Sequence, residues 1–367
     1  MNKQMKKAAV VIVAGALITN MGMLGKAQAA KFEVTSTVKQ SAQAGVILKY
    51  NGKALSLQGK LIDGNTMIPI SILRDTVGLP LTYDAKTKSY HIGSGITKLS
   101  LKVSDYRIST YINDSYIGEN SSNYEAKNID GKLYIPFKVL NEYMGFQGSY
   151  HAASRILTLT KRQTNNIQIT SETISTQDKN ATVLIHYPQL SGLSSTDAQE
   201  VINKILKEQA EALATDAKTK SKKQNSKVER PYEFGGNFLV TFNREGVLSI
   251  VTNHYEYLGG AHGATLREGL TFSLKDGKQL TINDLLHSSA DAKKKLDNKL
   301  KENTKKDGYT DGFNGLKTSP DFYVKETGLT IFYQQYEIAP YAAGFPTYTF
   351  RFSDLLLKDA DPFAAAK

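Results

Sequence analysis

Hydrophobic and polar positions in the first half of the chain recur with a spacing of 67 residues. Each copy starts with an Asp-Gly turn, continues as an alternating strand that ends at Ile-Pro, and leads into a short apolar helix followed by glycine. The recurring residues are Ile62-Asp63-Gly64 and Ile129-Asp130-Gly131, Ile68-Pro69 and Ile135-Pro136, and Leu73, Gly78 and Tyr83 against Leu140, Gly145 and Tyr150. The pattern predicts a duplicated, β-rich domain over residues 45–161, with repeats at about 46–95 and 106–161.

The second half mixes strand-like alternation with two helical segments. Apolar residues at helical spacing follow the capping sequence Thr196-Asp197-Ala198-Gln199 and predict a long helix, and a Lys-rich helix is expected over Ser289–Lys305. Alternating stretches such as Val247–Tyr255 predict strands. We therefore expect a two-domain α+β protein, in which the duplicated domain is followed over 165–357 by an α/β sandwich-type domain with an antiparallel sheet, and then by a tail over 358–367.

The N-terminal residues have the pattern of an export signal. Its parts are a basic start, an uncharged apolar run and a small-x-small cleavage site, namely Lys3, Lys6 and Lys7, then Ala8–Ile18, then Ala27-Gln28-Ala29. This predicts a signal peptide over 1–29 and a linker over 30–44. The mature protein would be secreted, and extracellular or associated with the cell wall, with no transmembrane segment after cleavage. A retained membrane anchor is the alternative.

Composition and charge narrow the possible chemistry. The chain has no cysteine, which excludes disulfides, thiolate nucleophiles and Cys-ligated zinc. Residues 30–164 hold 17 Lys and Arg against 10 Asp and Glu, whereas residues 165–367 hold 25 of each. Anionic wall polymers are therefore natural partners of residues 30–164, with plain solubility as the alternative. Nucleic acid is not expected, because no basic-aromatic motif of that kind occurs.

Two glycine- and tyrosine-rich loops carry the candidate binding residues. These are Tyr257, Gly259, Gly260, His262 and Gly263 in the first loop, and Tyr336, Glu337 and Tyr341 in the second. Glycine allows backbone conformations that side chains forbid, while Tyr and His offer stacking surface and hydrogen bonds. We expect the two loops to lie close together on the surface and to form a recognition face. The alternative is that the tyrosines are ordinary core residues.

Patterns typical of catalysis are missing from the sequence. His262 has His254 as its nearest histidine, and neither a His-Glu-x-x-His motif nor a Gly-x-Ser-x-Gly motif occurs. A glycosidase pair of carboxylates cannot be singled out. The sequence therefore predicts no catalytic residue, no metal site and no cofactor.

The duplicated segment resembles the copper amine oxidase N-terminal-like, or stalk, domain of secreted bacterial proteins. The resemblance rests on the order and spacing of the repeated Ile-Asp-Gly and Ile-Pro motifs. It implies a non-catalytic domain, because in the oxidases the stalk does not carry the chemistry. Only His91 and His151 lie in this segment, which is too few for a three-histidine copper site.

The second half resembles the extracellular domain of the anti-sigma factor RsiV and the domain that precedes the deacetylase in PdaC-type wall enzymes. Three motifs carry this resemblance: Gly259-Gly260-Ala261-His262-Gly263, Leu280–Leu286, and Tyr336-Glu337-Ile338-Ala339-Pro340-Tyr341. It implies an α/β domain outside the membrane, which in RsiV holds lysozyme. We therefore expect a secreted, non-catalytic cell-envelope protein that recognises a lysozyme-like wall hydrolase or peptidoglycan. The alternative, a hydrolase or deacetylase-related enzyme acting on cell-wall glycan, lacks the Thr-Phe-Asp-Asp run of those deacetylases.

Overall fold

The computed structural model describes residues 44–118, 122–224, 230–309 and 312–367. The predicted signal peptide and nearly all of the predicted linker lie outside these residues, so both stay predictions. The described residues form the expected α+β structure, with several sheets and fewer helices than strands. No helix within the described ranges is both long and apolar enough to cross a membrane.

In the first part of the structure, which we call the stalk, the described residues form two sheets and two short helices. Its strands are β1 (Ala44–Tyr50), β2 (Lys53–Ala54), β3 (Gly59–Ile62), β4 (Asn65–Pro69), β5 (Leu81–Asp84), β6 (Ser89–Ile92), β7 (Leu99–Val103), β8 (Ile108–Ile112), β9 (Ser115–Tyr116), β10 (Lys127–Ile129), β11 (Lys132–Pro136), β12 (Phe146–His151) and β13 (Ile156–Lys161), and its helices are α1 (Ile70–Asp75) and α2 (Phe137–Tyr143). One sheet has the order β10-β11-β4-β3-β1-β13-β12, with β2 beside β1, and the other runs from β5 to β9 in sequence order.

The two predicted repeats meet at a local two-fold axis. Strands β4 and β11 pair antiparallel, and Ile68 lies directly opposite Ile135, its own equivalent in the other repeat. Helix α1 follows β4 just as α2 follows β11. The duplication predicted from the sequence is therefore confirmed, and the two copies pair with each other along one sheet.

Proline and glycine set the ends of the two equivalent helices. Pro69 and Pro136 precede the helices with φ angles of −62° and −61°, values that the pyrrolidine ring fixes in advance. Gly78 and Gly145 follow them with φ angles of 80° and 72°, which other residues adopt at a cost. The same turn chemistry thus produces the same strand–helix unit twice.

The described residues of the second part form a five-stranded sheet, a three-stranded sheet and four helices. The larger sheet consists of β14 (Gln168–Gln177), β15 (Ala181–Ser191), β16 (Tyr232–Arg244), β17 (Val247–Tyr257) and β18 (Ala264–Ser273), and the smaller one of β19 (Phe322–Lys325), β20 (Gly328–Phe332) and β21 (Thr347–Phe350). The helices are α3 (Thr196–Ser221), α4 (Ile282–Leu285), α5 (Ala290–Lys306) and α6 (Phe352–Leu355).

The larger sheet is antiparallel except at one pair. Strands β15 and β16 run parallel, because the chain returns between them through α3, and parallel neighbours need such a crossover. Helix α3 buries Ile202 and Leu206 in a cluster with Phe238 and Ile250 of the sheet. The expected helix-on-sheet layering therefore holds, with this one parallel pair as the departure from a purely antiparallel sheet.

The last ten residues, which we assigned to a tail, pack against the second part. Phe363 and Ala366 are buried in the cluster that includes Leu296 of α5 and Leu329 of β20. The Phe363 ring lies 5.1 Å from the ring of Phe242, measured between centroids. These residues therefore belong to the folded second part.

The stalk and the second part pack together within one compact unit. Leu239 of β16 is buried in the stalk's own hydrophobic cluster. The side-chain amide of Asn113 donates a hydrogen bond to the carbonyl of Phe238 over 3.1 Å. Arg162 and Glu326, both largely buried, form an ion pair across 3.2 Å. Apolar contacts and buried polar pairs thus hold the two parts to each other.

Candidate functional site

The two candidate loops come together at one edge of the second part. The first follows β17 and the second follows β20. The ring of His262 stacks on the ring of Tyr341, with centroids 4.0 Å apart and planes 21° from parallel. The Tyr336 hydroxyl lies 3.4 Å from His262 Nε2, and the Tyr336 ring lies 5.5 Å from the Tyr341 ring. The structure therefore shows the expected proximity, whereas a binding role for these residues stays a prediction.

Hydrogen bonds fix the orientation of the histidine. His262 Nδ1 lies 2.8 Å from the carbonyl oxygen of Gly263, and the Tyr341 hydroxyl donates to the same oxygen over 2.9 Å. A carbonyl oxygen only accepts, so Nδ1 carries the hydrogen in this contact and Nε2 is left to accept from Tyr336. His262 is thus held in one tautomer, with its ring exposed on the surface.

Glycine is required at two points of the first loop. Gly260 has a φ angle of 99°, which favours glycine over any other residue. At Gly263 an added Cβ would lie 2.4 Å from the Tyr255 ring, so a side chain would displace that ring. Gly259 also adopts a positive φ angle, and the Tyr257 hydroxyl donates to the Gly260 carbonyl. The glycines therefore shape the loop, and its aromatic side chains provide the contact surface.

Glu337 has a structural contact that the sequence did not indicate. Its side chain accepts a hydrogen bond from the backbone N–H of Gln334 over 2.8 Å and pairs with the Lys317 ammonium at 2.5 Å. Tyr336, by contrast, is 64% exposed and adopts a left-handed φ angle of 65°. Of the acid and the tyrosine, Tyr336 is therefore the side chain more available to a partner.

A groove of about 390 Å³ runs beside the two loops. Its lining includes His254, Tyr255, Glu256, Leu266, Gln335 and Tyr336. Lys220 reaches over from α3 and contacts Asp216 and Glu256. Burial works against the charge of Lys220, yet the hydrogen bonds to these two carboxylates prevail and raise its pKa. Exposed aromatic surface and paired charges thus border one continuous groove.

A histidine of the groove lining, His254, lies near a carboxylate, Glu268. His254 Nδ1 lies 4.0 Å from Glu268 Oε2, and Glu268 also accepts a hydrogen bond from Gln209. Burial lowers the pKa of His254, while burial and the nearby charge of Asp321 raise the pKa of Glu268. Both shifts favour the neutral forms of the two groups.

Two exposed leucines extend the face that the loops form. Leu266 is 51% exposed, and Leu258 is also exposed. Neither leucine is among the binding residues predicted from the sequence. In β18 the apolar Leu266 is exposed and the neighbouring Arg267 is buried. This reverses the usual alternation of a half-buried strand, in which apolar residues point inward.

No group of three or more His, Asp and Glu side chains within the described ranges is arranged to hold a metal ion. The expected absence of catalysis, metal and cofactor stays a prediction, because the structure contains protein alone.

Three protein-family models match successive segments of the chain. Residues 49–159 match the copper amine oxidase N-terminal domain, residues 174–265 match the family described as deacetylase PdaC, and residues 283–353 match a protein family of unknown function, DUF3298. These matches fit the layout expected from the sequence, a stalk domain followed by a PdaC-like C-terminal domain, and add the DUF3298 match within that second domain. These domains are typical of extracellular bacterial proteins and fit a protein of the cell envelope.

Two solved structures of the DUF3298 family are similar to part of the chain. A Bacteroides fragilis protein is 18% identical, with a TM-score of 0.40, over 52% of this chain and 92% of its own. A Pseudomonas aeruginosa protein is 16% identical, with a TM-score of 0.35, over 52% of this chain and 91% of its own. No curated protein matches the chain.

Proposed function

We propose that this is a secreted, non-catalytic cell-envelope protein that binds a basic, lysozyme-like wall hydrolase through the face formed by the two loops. The observation that carries the proposal is the convergence of His262, Tyr336 and Tyr341 on an exposed surface bordered by Leu258 and Leu266. Exposed apolar side chains gathered in one place mark interaction sites on soluble proteins.

The chemistry of this face suits a protein partner. Tyrosine is enriched among the residues that dominate binding energy at protein interfaces, because it offers a large contact area and a hydroxyl group. The stack of His262 on Tyr341 and the hydrogen bonds to Gly263 hold the loops in place before binding. Such preorganisation lowers the entropy lost on association.

Charge around the groove favours a basic partner. Among the described residues that line it, the carboxylates are Asp216 and Glu256, against the one ammonium group of Lys220. A surplus of negative charge attracts a positively charged protein and speeds its association. The positive excess of residues 30–164 would meanwhile hold the protein at anionic wall polymers.

The test compares two exposed tyrosines by measuring lysozyme affinity calorimetrically. Tyr336→Ala should weaken binding at least tenfold, which corresponds to about 1.4 kcal/mol, with little change in Tm. Tyr106→Ala is the matched control, since Tyr106 is 98% exposed on the stalk and distant in sequence from both loops. Equal affinity for lysozyme in wild type and Tyr336→Ala would refute the proposed face, and so would equal weakening by both variants.

A parallel sedimentation with insoluble peptidoglycan distinguishes the two envelope partners. One outcome would show that the face recognises glycan and that the proposed protein partner is wrong. In that outcome neither the wild-type protein nor either variant binds lysozyme, and Tyr336→Ala co-sediments with peptidoglycan less than wild type does.

The contact between His254 and Glu268 favours the second candidate, a hydrolase or deacetylase-related enzyme acting on wall glycan. His254 lines the groove, and burial lowers its pKa, which favours the neutral imidazole that a general base needs. Burial raises the pKa of Glu268, which favours the protonated carboxyl that a general acid needs. Release of soluble sugar or acetate from peptidoglycan by wild type, and its loss in His254→Ala, would replace the binding proposal with this one.

A further inference from the structure

A side chain of the protein itself occupies part of the groove beside the two loops. Lys220 lines this groove from α3, and its ammonium lies 2.8 Å from Asp216 Oδ2 and also contacts the Glu256 carboxylate of β17. No other Lys or Arg side chain of the described residues lies within 4.0 Å of either carboxylate. Among these residues two carboxylates therefore share one ammonium, which leaves them one negative charge in excess.

The contacts of Lys220 are open to solvent. Its side chain is 35% exposed, and the side chains of Asp216 and Glu256 are 49% and 36% exposed. Ion pairs between exposed side chains stabilise a protein little, because water solvates both charges when they separate. Lys220 can therefore leave the two carboxylates at little cost when another cation takes its place.

The other side chains of the lining suit the remaining parts of an arginine. Leu266 offers exposed apolar surface, along which the methylene groups of a long basic side chain pack. Tyr255 and Tyr336 offer aromatic rings, on which a planar guanidinium stacks. The same kind of contact exists on the strand that carries Tyr255, where the guanidinium carbon of Arg230 lies 5.9 Å from the ring centroid of Tyr257. Acidic, aromatic and apolar surfaces thus meet in one groove.

We infer that this groove receives an arginine side chain of the partner protein, and that Lys220 holds the place of this arginine until the partner binds. The guanidinium pairs with Asp216 and Glu256 through several N–H donors in a fixed plane, a geometry that the Lys220 ammonium lacks. The volume of about 390 Å³ lies within the range of about 300–1,000 Å³ found for ligand pockets. The inference rests on the proposed function for the identity of the partner, whereas the chemistry of the groove is independent of it.

The test measures the binding of two small probes to the purified full chain by saturation-transfer NMR. N-acetyl-arginine amide is the cationic probe, and N-acetyl-citrulline amide is the control, because it has nearly the same shape without the charge. We expect saturable binding of the arginine probe and binding of the citrulline probe that is weaker by at least about threefold. Equal binding of the two probes would overturn the inference, and so would no binding of the arginine probe to wild type or any variant.

A variant of the lysine tests the displacement. Lys220→Met keeps a long apolar side chain but removes the competing cation, so the arginine probe should bind about fivefold more tightly than to wild type. Lys218→Met is the matched control, since Lys218 is exposed on the same helix and is not part of the groove lining. It should leave binding unchanged. If Lys220→Met binds the arginine probe no better than wild type does, Lys220 is not a competitor and the inference is wrong.

A double variant tests the two carboxylates. Asp216→Asn combined with Glu256→Gln keeps the shape of both side chains and removes their charges. This variant should bind the arginine and citrulline probes equally, because the charge of the guanidinium no longer has a partner in the groove. A preference for the arginine probe as large as that of wild type would place the guanidinium elsewhere and contradict the inference.

Lysozyme titrations of the same proteins separate this inference from the proposed function. If the arginine probe behaves as expected and lysozyme does not bind, the groove recognises arginine and the proposed partner is wrong. If lysozyme binds and the arginine probe does not, the inference fails and the proposed function stands. If both bind, Lys220→Met should tighten lysozyme binding as well, and unchanged lysozyme affinity would show that the partner's arginine does not enter this groove.

Discussion

Helices α1 and α2 occupy the same place in two copies of one repeat, yet their outer faces differ. The inner positions are alike, with Leu73 and Leu140 both almost fully buried. On the outer face, Asp75 is exposed and pairs with its neighbour Arg74, whereas Glu142 is buried and pairs with Lys325 of the second part. The buried positions of the two helices are therefore alike because both helices pack into the core of the same repeat. Their outer positions differ because only α2 packs against the second part.

The largest expected effect comes from removing the buried acid. Glu142→Ala leaves the Lys325 ammonium buried without its carboxylate, and breaking a buried pair in this way costs about 3–5 kcal/mol. Asp75→Ala, at the equivalent position of α1, should leave the free energy of unfolding nearly unchanged, because its ion pair is exposed. Urea denaturation of both variants measures the difference.

A double variant checks the cause of that loss. Glu142→Ala combined with Lys325→Met should recover a large part of the lost stability, because no unpaired charge is left behind. Equal stability of Glu142→Ala and Asp75→Ala would mean that the two outer faces are energetically alike.

Core substitutions should affect the two copies equally. Leu73→Ala and Leu140→Ala each remove a fully buried side chain, which costs about 2–5 kcal/mol. Chemical denaturation of the two single variants gives both values. A loss near zero at either position would show that one copy of the repeat does not depend on its core leucine.

The parts of this fold that the sequence predicts are those set by residues close together in the chain. Asp-Gly turns, Ile-Pro strand ends and the glycines after α1 and α2 act within a few residues, so the repeat could be read without a structure. The pairing of Ile68 with Ile135 could not be predicted from the sequence, because the pairing of strands 67 residues apart depends on how the two copies pack. Glu142 likewise reads as an exposed helix residue until the second part covers it.

The candidate site shows the same limit. The two loops were predicted to lie together because both follow strands and both contain glycine and tyrosine. The tautomer of His262, the Lys317 contact of Glu337 and the exposed Leu266 depend on side-chain packing. A cavity of about 260 Å³, lined by Lys138 of α2 and by residues of the second part, depends on contacts between the two parts, which no local pattern reports.

Lys138, whose equivalent in the first copy is Ser71, should make stability depend on pH. The pKa of Lys138 lies below the ordinary lysine value of 10.5 because of burial, so the folded state binds fewer protons than the unfolded state between the two values. This lysine's contribution to the free energy of unfolding therefore rises with pH across that window. The rise should be absent from the curve of unfolding free energy against pH of Lys138→Met and remain in that of the exposed Lys102→Met. A Lys138→Met curve parallel to that of wild type would contradict a perturbed lysine.

The smallest effect concerns two ion pairs that the local two-fold axis relates. Lys60 pairs with Asp130 across 2.8 Å, and Lys127 pairs with Asp63 across 2.9 Å. Both pairs are partly exposed, so Lys60→Met and Lys127→Met should each cost about 0–1 kcal/mol and less in high salt. The Lys60 ammonium also lies 5.6 Å from the ring centroid of Tyr134, whereas the equivalent of that tyrosine in the first copy is Met67. Lys60→Met should therefore cost the more of the two, by about 0.5 kcal/mol, and denaturation curves that rank the two variants the other way would show that the aromatic ring contributes nothing.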